Sequence, residues 1–163
     1  MTQSNAIDIA AATAADIPLL LEFIRELAAY EKLEHEMQAG EAQLRESLFG
    51  PKPVAECLIA RSAGRPAGFA LFFANFSTFL GRPGIYLEDL FVRAEFRGHG
   101  IGKRLLTQLA RLAVGRGCGR LEWAVLDWNR PARDFYESLG ARPVEQWILH
   151  RVTGEALTRL AGS

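Results

Sequence analysis

Two adjacent acids, Glu88 and Asp89, sit on an apolar run, Ile85-Tyr-Leu-Glu-Asp-Leu-Phe-Val92. A short polar loop then leads into three glycines at every second position, Gly98, Gly100 and Gly102. A strand–loop–helix unit of this kind presents a row of free backbone N–H groups at a helix N-terminus, and such a row can hold phosphate. Carboxylates on the preceding strand suggest that chemistry happens beside the bound phosphate compound. The spacing narrows the compound. A dinucleotide fingerprint needs Gly-x-Gly-x-x-Gly and usually opens a chain's first unit. Here the third glycine comes one residue early, and the segment lies past the middle of the chain. A nucleotide P-loop would need a hydroxyl after Gly102-Lys103, where Arg104 stands, and a glycine where Arg97 stands. The remaining pattern is Arg97-x-x-Gly100-x-Gly102. The alternative is a glycine-rich helix entry that binds nothing, since glycines commonly punctuate helix starts.

These residues need elements to position them, and the 163-residue chain is long enough for one domain, residues 1–163, with its own core. Hydrophobic residues make up 49% and charged residues 23%, as in an ordinary soluble globular protein. Lys plus Arg equals Asp plus Glu at 19 each, so no basic excess argues for nucleic acid. Asp8 and Asp16 interrupt any secretory apolar segment, and the apolar run Phe69–Phe76 is broken by Asn75, so neither a leader nor a membrane span is expected. Cys57 and Cys118 lie far apart without a C-x-x-C motif. That pattern suits a reducing, cytoplasmic setting and argues against a zinc site.

Patterning predicts a strand at 6–11, then a capping box Thr13-x-x-Asp16 opening an amphipathic helix to about Tyr30. A helix at 41–49 follows, then strands at 55–61 and 67–77 joined by a turn at 62–66, and a strand at 85–92. The helix at 100–115 puts Ile101, Leu105, Leu109 and Leu112 on one face and Arg104, Gln108 and Arg111 on the other. A strand at 121–126, a helix at 131–139, an extended stretch at 143–152 and a helical turn at 156–160 complete the chain. Helices packed on a mixed sheet make the fold class α/β or α+β.

Arg97-x-x-Gly100-x-Gly102 resembles the pyrophosphate loop of the GNAT superfamily of N-acetyltransferases. A second segment fits the same superfamily: Asn129-x-x-Ala132-x-x-Phe135-Tyr136-x-x-x-Gly140-Ala141 closes a strand and runs through a helix, with Tyr136 about two turns past Asn129. With Tyr30-Glu31-Lys32-Leu33, Phe76-Ser77-Thr78-Phe79, Tyr86-Leu87-Glu88-Asp89 and Val125-Leu126-Asp127-Trp128-Asn129, the chain resembles the diamine acetyltransferase family over nearly its whole length. The thialysine Nε-acetyltransferases are the closer branch. The chain departs from that pattern at Phe79, where the family usually carries Trp, and in its short turn at 62–66. It also departs at Ser77, about where the polyamine branch places an acid, which weighs against spermidine or spermine.

The resemblance implies a GNAT-type, mostly antiparallel twisted sheet flanked by helices, with a splayed central strand pair. It implies acetyl-CoA as co-substrate and no metal. The diphosphate would lie on Arg97, Gly98, His99, Gly100, Ile101, Gly102 and Lys103, with Leu90, Phe91 and Val92 offering strand N–H groups and with Asn129, Ala132 and Tyr136 on the far side. A primary amine titrates near ~10.4, so only ~1 molecule in 10³ is neutral at pH 7 and a base is needed. The resemblance makes Glu88 that base and Tyr136 the acid that protonates the leaving thiolate. By strand alternation Asp89 points to the opposite face unless a bulge intervenes, as a substrate-binding or structural acid. Tyr30 and Glu31 are implied at the amine pocket, and family members commonly form homodimers. Glu26, Glu31, Glu34, Glu36, Glu41 and Glu46 outnumber Lys32 and Arg45 across 26–46, an acidic rim suited to cationic amines or simply a solvated face. Three functions follow: acetylation of a small cationic amine, which is favoured; acetylation of a protein or peptide amine; and a non-catalytic acyl-CoA-binding module.

Overall fold

Apolar alternation organises the sheet. In the computed structural model, which describes residues 6–162, β1 (Ile7–Ala11), β2 (Glu56–Ser62), β3 (Arg65–Ser77) and β4 (Arg82–Val92) pair antiparallel in chain order. β5 (Leu121–Trp123) joins β4 in parallel. The chain forms two compact units. The first runs through Ala124 and holds the whole sheet with α1 (Ile17–Glu31), α2 (Glu41–Phe49) and α3 (Ile101–Gly115). The second begins at Val125 and holds α4 (Arg130–Ser138) and α5 (Gly154–Leu160).

In the first unit, residues opposite each other on paired strands share a face. Cys57, Ile59, Phe69 and Phe91 turn towards α1 and α2 and form a core with Ile17, Leu20, Phe23 and Leu27. Phe23 stacks on Phe69 at 5.4 Å between ring centroids and meets Phe91 edge-on at 6.5 Å. Each such buried ring stabilises the fold by roughly 1.5–3 kcal/mol. By alternation Leu58, Ala60, Ala70 and Phe72 face the other way, where α3 packs. Arg116, at the end of α3, lies over the Phe72 ring and bonds both oxygens of Glu56 at 2.7 and 2.8 Å.

The expected capping box closes a 3-10 turn, Ala14–Asp16, that leads directly into α1. Thr13 N–H donates to Asp16 Oδ2 at 2.8 Å, and Arg61 bonds Asp16 Oδ1 at 2.9 Å, tying the helix entry to β2. The Thr13 N–H, and then Arg61, hold the Asp16 carboxyl below its ordinary range against the opposing effect of burial.

Two expectations differ from the structure. The strand expected at 121–126 stops at Trp123, because its partner β4 leaves the ladder after Leu87. The stretch expected to be extended, 143–152, contains a turn closed by Trp147 N–H on the Val144 carbonyl at 3.2 Å, and it joins no strand among the described residues. Without a partner, Trp147, Ile148 and Leu149 remain 76–79% exposed.

Candidate active site

The register between β3 and β4 shifts once. Phe72 stands opposite Leu87 and Leu71 opposite Asp89, so Glu88 is an extra residue, a β-bulge. Ile85 and Leu87 therefore lie on the α3 face, while Asp89 and Phe91 lie on the α1–α2 face with Leu71 and Phe69. Strand alternation alone would have put Leu87 and Asp89 together. The bulge is the exception to strand alternation allowed for at Asp89, and with it Glu88 and Asp89 both line one cleft of about 340 Å³. The bulge also ends the parallel pairing, whose last register pair is Leu87 with Trp123. Beyond it no strand among the described residues pairs with the free edge of β4. Arg93 N–H bonds the Ala67 carbonyl of the neighbouring segment at 2.8 Å, so by alternation Phe91 N–H faces β3, and of the expected Leu90–Val92 donors only Leu90 and Val92 face the free edge at the splay.

Glu31 and Glu36 complete the acidic lining, over an apolar floor that includes Leu27 and Met37. α1 ends directly after Glu31, where Lys32 adopts a left-handed φ of 61° and Leu33 N–H bonds the Ala28 carbonyl at 2.8 Å. That reversal folds residues 33–39 back as the second wall. No Lys, Arg or His lines the cleft. Burial raises the Glu31 carboxyl above its ordinary value. Asp89 is pushed up to about 7, first by burial and then by the negative charges of Glu88 and Glu31. A second cleft of about 360 Å³, between β1 and α3, carries Arg104 and Arg111 and no acid. The two volumes are too close to choose between, but the sign of the charge selects the first cleft for an amine.

The acidic rim read across 26–46 is smaller than its composition suggests. Glu26 is spent on Arg93, whose Nε reaches both its oxygens at 3.1 Å and whose Nη2 reaches Oε1 at 2.7 Å, while Glu22 bonds the same Nη2. Arg93 also lies over the Phe23 ring at 4.8 Å. This clamp holds α1, one cleft wall, against the end of β4, the other. Nothing in the sequence marked Arg93, because its partners come from 67 and 71 residues away. Tyr30 does not line the cleft. It lies under the Arg97 guanidinium at 4.8 Å, while Arg97 Nε donates to the Val92 carbonyl at 2.9 Å.

The glycine loop has the backbone of an anion site. Gly98 and Gly100 have φ of 79° and 76°, conformations that other L-residues rarely adopt. Arg97 N–H is already used, bonding the Ala94 carbonyl at 3.2 Å, so the donor row starts at Gly98 rather than at Arg97. At the other end Arg104 N–H bonds Gly100 at 3.0 Å. Between them, no backbone carbonyl among the described residues takes the N–H groups of Gly98, His99, Gly100, Ile101, Gly102 or Lys103, as expected for a helix entry. His99 Nδ1 lies 3.2 Å from the Phe96 carbonyl and steadies the turn. Leu105 and Leu109 anchor α3 in the core with no exposure, so the donor row is held on a rigid element.

In the second unit, Asn129 is buried and caps α4, its side-chain oxygen accepting from Ala132 N–H at 3.3 Å. Two of the expected coenzyme residues, Asn129 and Ala132, therefore bond each other. Tyr136 is half-buried beside Phe135, with ring centroids 5.5 Å apart, and its carbonyl accepts from Leu139 and Ala141 N–H where α4 ends. Among the described residues no group of three or more His, Cys, Asp or Glu is placed to hold a metal, and no helix is long and apolar enough to cross a membrane.

A mixed sheet splayed after Leu87, with a glycine loop opening α3 beside the splay, is the architecture of an acyltransferase. The chain belongs to the acetyltransferase (GNAT) family, whose model matches residues 20–141. It is 42% identical over 154 residues to the thialysine Nε-acetyltransferase of Bos taurus, covering 88% of this chain and 90% of that protein. It is 34% identical over 191 residues to the L-ornithine N5-acetyltransferase of Arabidopsis thaliana, covering 90% and 84%. Among solved structures, an integron cassette protein of V. cholerae superposes with a TM-score of 0.80 at 30% identity, over 96% of this chain and 98% of that one.

Proposed function

We propose that this acetyltransferase moves the acetyl group of acetyl-CoA to the primary amine of a small cationic molecule, by direct attack in a ternary complex. The acceptor class is a lysine- or thialysine-like amino acid or a diamine. The observation that carries the reading is the cleft in which a bulge gathers Glu88 and Asp89 with Glu31 and Glu36, with no basic residue in its lining. An ammonium group entering it gains a charge-assisted contact that a neutral group lacks.

The parts divide as follows. N–H groups from Gly98 to Lys103 hold the diphosphate, and the motif assigns Asn129, Ala132 and Tyr136 to the same coenzyme. N–H groups of Leu90 and Val92, on the free edge beside the splay, are donors for the thioester carbonyl as it becomes an oxyanion. The carboxylate pair Glu88–Asp89 receives the amine and removes its proton, and the Tyr136 hydroxyl, on its motif, protonates the departing sulfur. No residue forms a bond to the acetyl group, so most of the rate comes from holding amine and thioester together. A homodimer in a reducing compartment, with Cys57 and Cys118 as free thiols, fits this reading.

The test is a panel of thialysine, lysine, ornithine, putrescine, spermidine, spermine and short lysine peptides with acetyl-CoA, following release of the free thiol. Turnover of the small amines above the peptides is expected. Turnover of peptides alone would move the assignment to a protein amine.

A further inference from the structure

We propose that Asp89 is the proton acceptor of the reaction and that Glu88 holds the charge of the incoming amine. This assignment rests on the acetyltransfer reading above. Three observations converge on it. The bulge turns Asp89 onto the α1–α2 face, opposite Leu71, where its carboxylate lines the cleft rather than the α3 side. Asp89 is half-buried while Glu88 is exposed, so Glu88 meets solvent and an arriving cation more readily. Asp89 also has no cationic partner: the ion pairs of the described residues go elsewhere, to Asp16, Glu22, Glu26 and Glu56 among others. A structural carboxylate at that depth is usually paired, because burying an unpaired charge costs several kcal/mol.

Burial, and then the charges of Glu88 and Glu31, raise the proton affinity of Asp89, and none of the groups facing it offsets them. Those groups are Glu88 on its own strand, Glu31 from α1, Glu36 from the turn after α1 and Cys57 from β2, whose thiol is pushed well up by burial and by Asp89 itself. Every one is neutral or negative. A carboxyl held at about 7 is half ionised at neutral pH and strong enough as a base to take an amine proton, where an ordinary aspartate is a weak one. The balance closes. Asp89 takes one proton from the ammonium, and the freed lone pair forms the C–N bond. The C–S bond then breaks with its electron pair on sulfur, and the sulfur takes a proton from the acid. The acid regains a proton from the new amide nitrogen, and Asp89 releases its own to water.

The experiment measures kcat/KM against pH for wild type, D89N, D89E and E88Q, using putrescine, lysine and thialysine in parallel at saturating acetyl-CoA. The wild-type profile is expected to climb to an inflection near pH 7 and then level, since kcat/KM reports the free enzyme. D89N should fall by roughly 10²-fold at neutral pH and climb without that inflection towards the free amine's value. D89E should restore an inflection, and E88Q should keep an inflection, moved below the wild-type position because the Glu88 charge that raises Asp89 is gone, while raising KM. A purely structural Asp89 would lower the rate and leave the inflection in place. An inflection retained in D89N, or abolished in E88Q, overturns the assignment alone. A wild-type protein inert towards all three amines overturns it together with the acetyltransfer reading.

Folding of the variants is checked by melting temperature, and the sign is known. The folded pKa of Asp89 lies above its ordinary value of 3.8, so its contribution to stability is full below that value and is lost as pH rises through about 7. D89N removes the buried charge, so it should melt no lower than wild type at pH 8.

Discussion

At Gly100 the backbone is left-handed, and a Cβ built there meets no atom within 4 Å. The free protein therefore tolerates a side chain at that point except for the conformational cost, about 1–2 kcal/mol for a non-glycine residue. A bound diphosphate would occupy the same open space. Gly100→Asp adds a negative charge to that strain, so acetyl-CoA affinity should drop by more than ~10²-fold while the protein still folds. Calorimetry with a parallel melt separates the two effects, and unchanged affinity in a folded variant would remove the loop from the coenzyme site. Tyr136 poses the converse case, a residue whose ring packs and whose hydroxyl is assigned the acid role. The coenzyme thiol titrates not far from a cysteine, ~8.5, so the thiolate leaves tolerably without help. Tyr136→Phe should therefore slow kcat by about 10- to 10²-fold with the melting temperature intact. A wild-type kcat would leave Tyr136 as a packing residue.

The elements α1 and β4 make the cleft only because they are locked together. Arg93 provides that lock, with two acids of α1 on one guanidinium and the Phe23 ring beneath it. Its side chain is 16% exposed while Glu26 is 34% exposed, so its worth lies between the exposed and the buried limits for ion pairs. Arg93→Ala should cost about 1–3 kcal/mol of stability. It should also raise KM for the amine more than KM for acetyl-CoA, because the wall that moves carries Glu31 and not the glycine loop. Equal effects on both constants would show that Arg93 serves the fold and not the cleft. The bulge in β4 is the other decision made at this scale. One inserted residue reverses the faces of everything after it and ends the pairing with β5.

The whole molecule has balanced charge, 19 basic and 19 acidic residues, so long-range attraction for a cation comes from the distribution and not from the total. The cleft concentrates four acids with no compensating base in its lining. Raising the ionic strength from about 50 mM to about 500 mM shortens the screening length several-fold. KM for a diamine should rise several-fold over that range, and kcat should change little. A salt-independent KM would assign amine binding to the apolar floor rather than to the acids.

Much of the architecture was already present in local patterns. Alternation marked β2, β3 and β4, the Thr13–Asp16 pair marked the start of α1, and the glycine spacing marked the head of α3, because period, capping and left-handed φ are properties of a few neighbouring residues. The candidate site residues were read from the same kind of local pattern, Glu88-Asp89 and Arg97-x-x-Gly100-x-Gly102, while the role given to Asn129…Tyr136 rests on its motif. What the local pattern could not carry was anything that depends on which strand lies alongside. The bulge at Glu88 is a mismatch between β3 and β4, and neither strand shows it alone. It decided that Asp89 shares a cleft with Glu88, that β5 ends at Trp123 and that the sheet splays there. Long-range pairing also tied Glu26 of the acidic rim to Arg93, and set Tyr30 under the Arg97 guanidinium. Side-chain type is written residue by residue, but burial and the charges nearby are set only when distant segments meet, and those two quantities raise the proton affinity of Asp89.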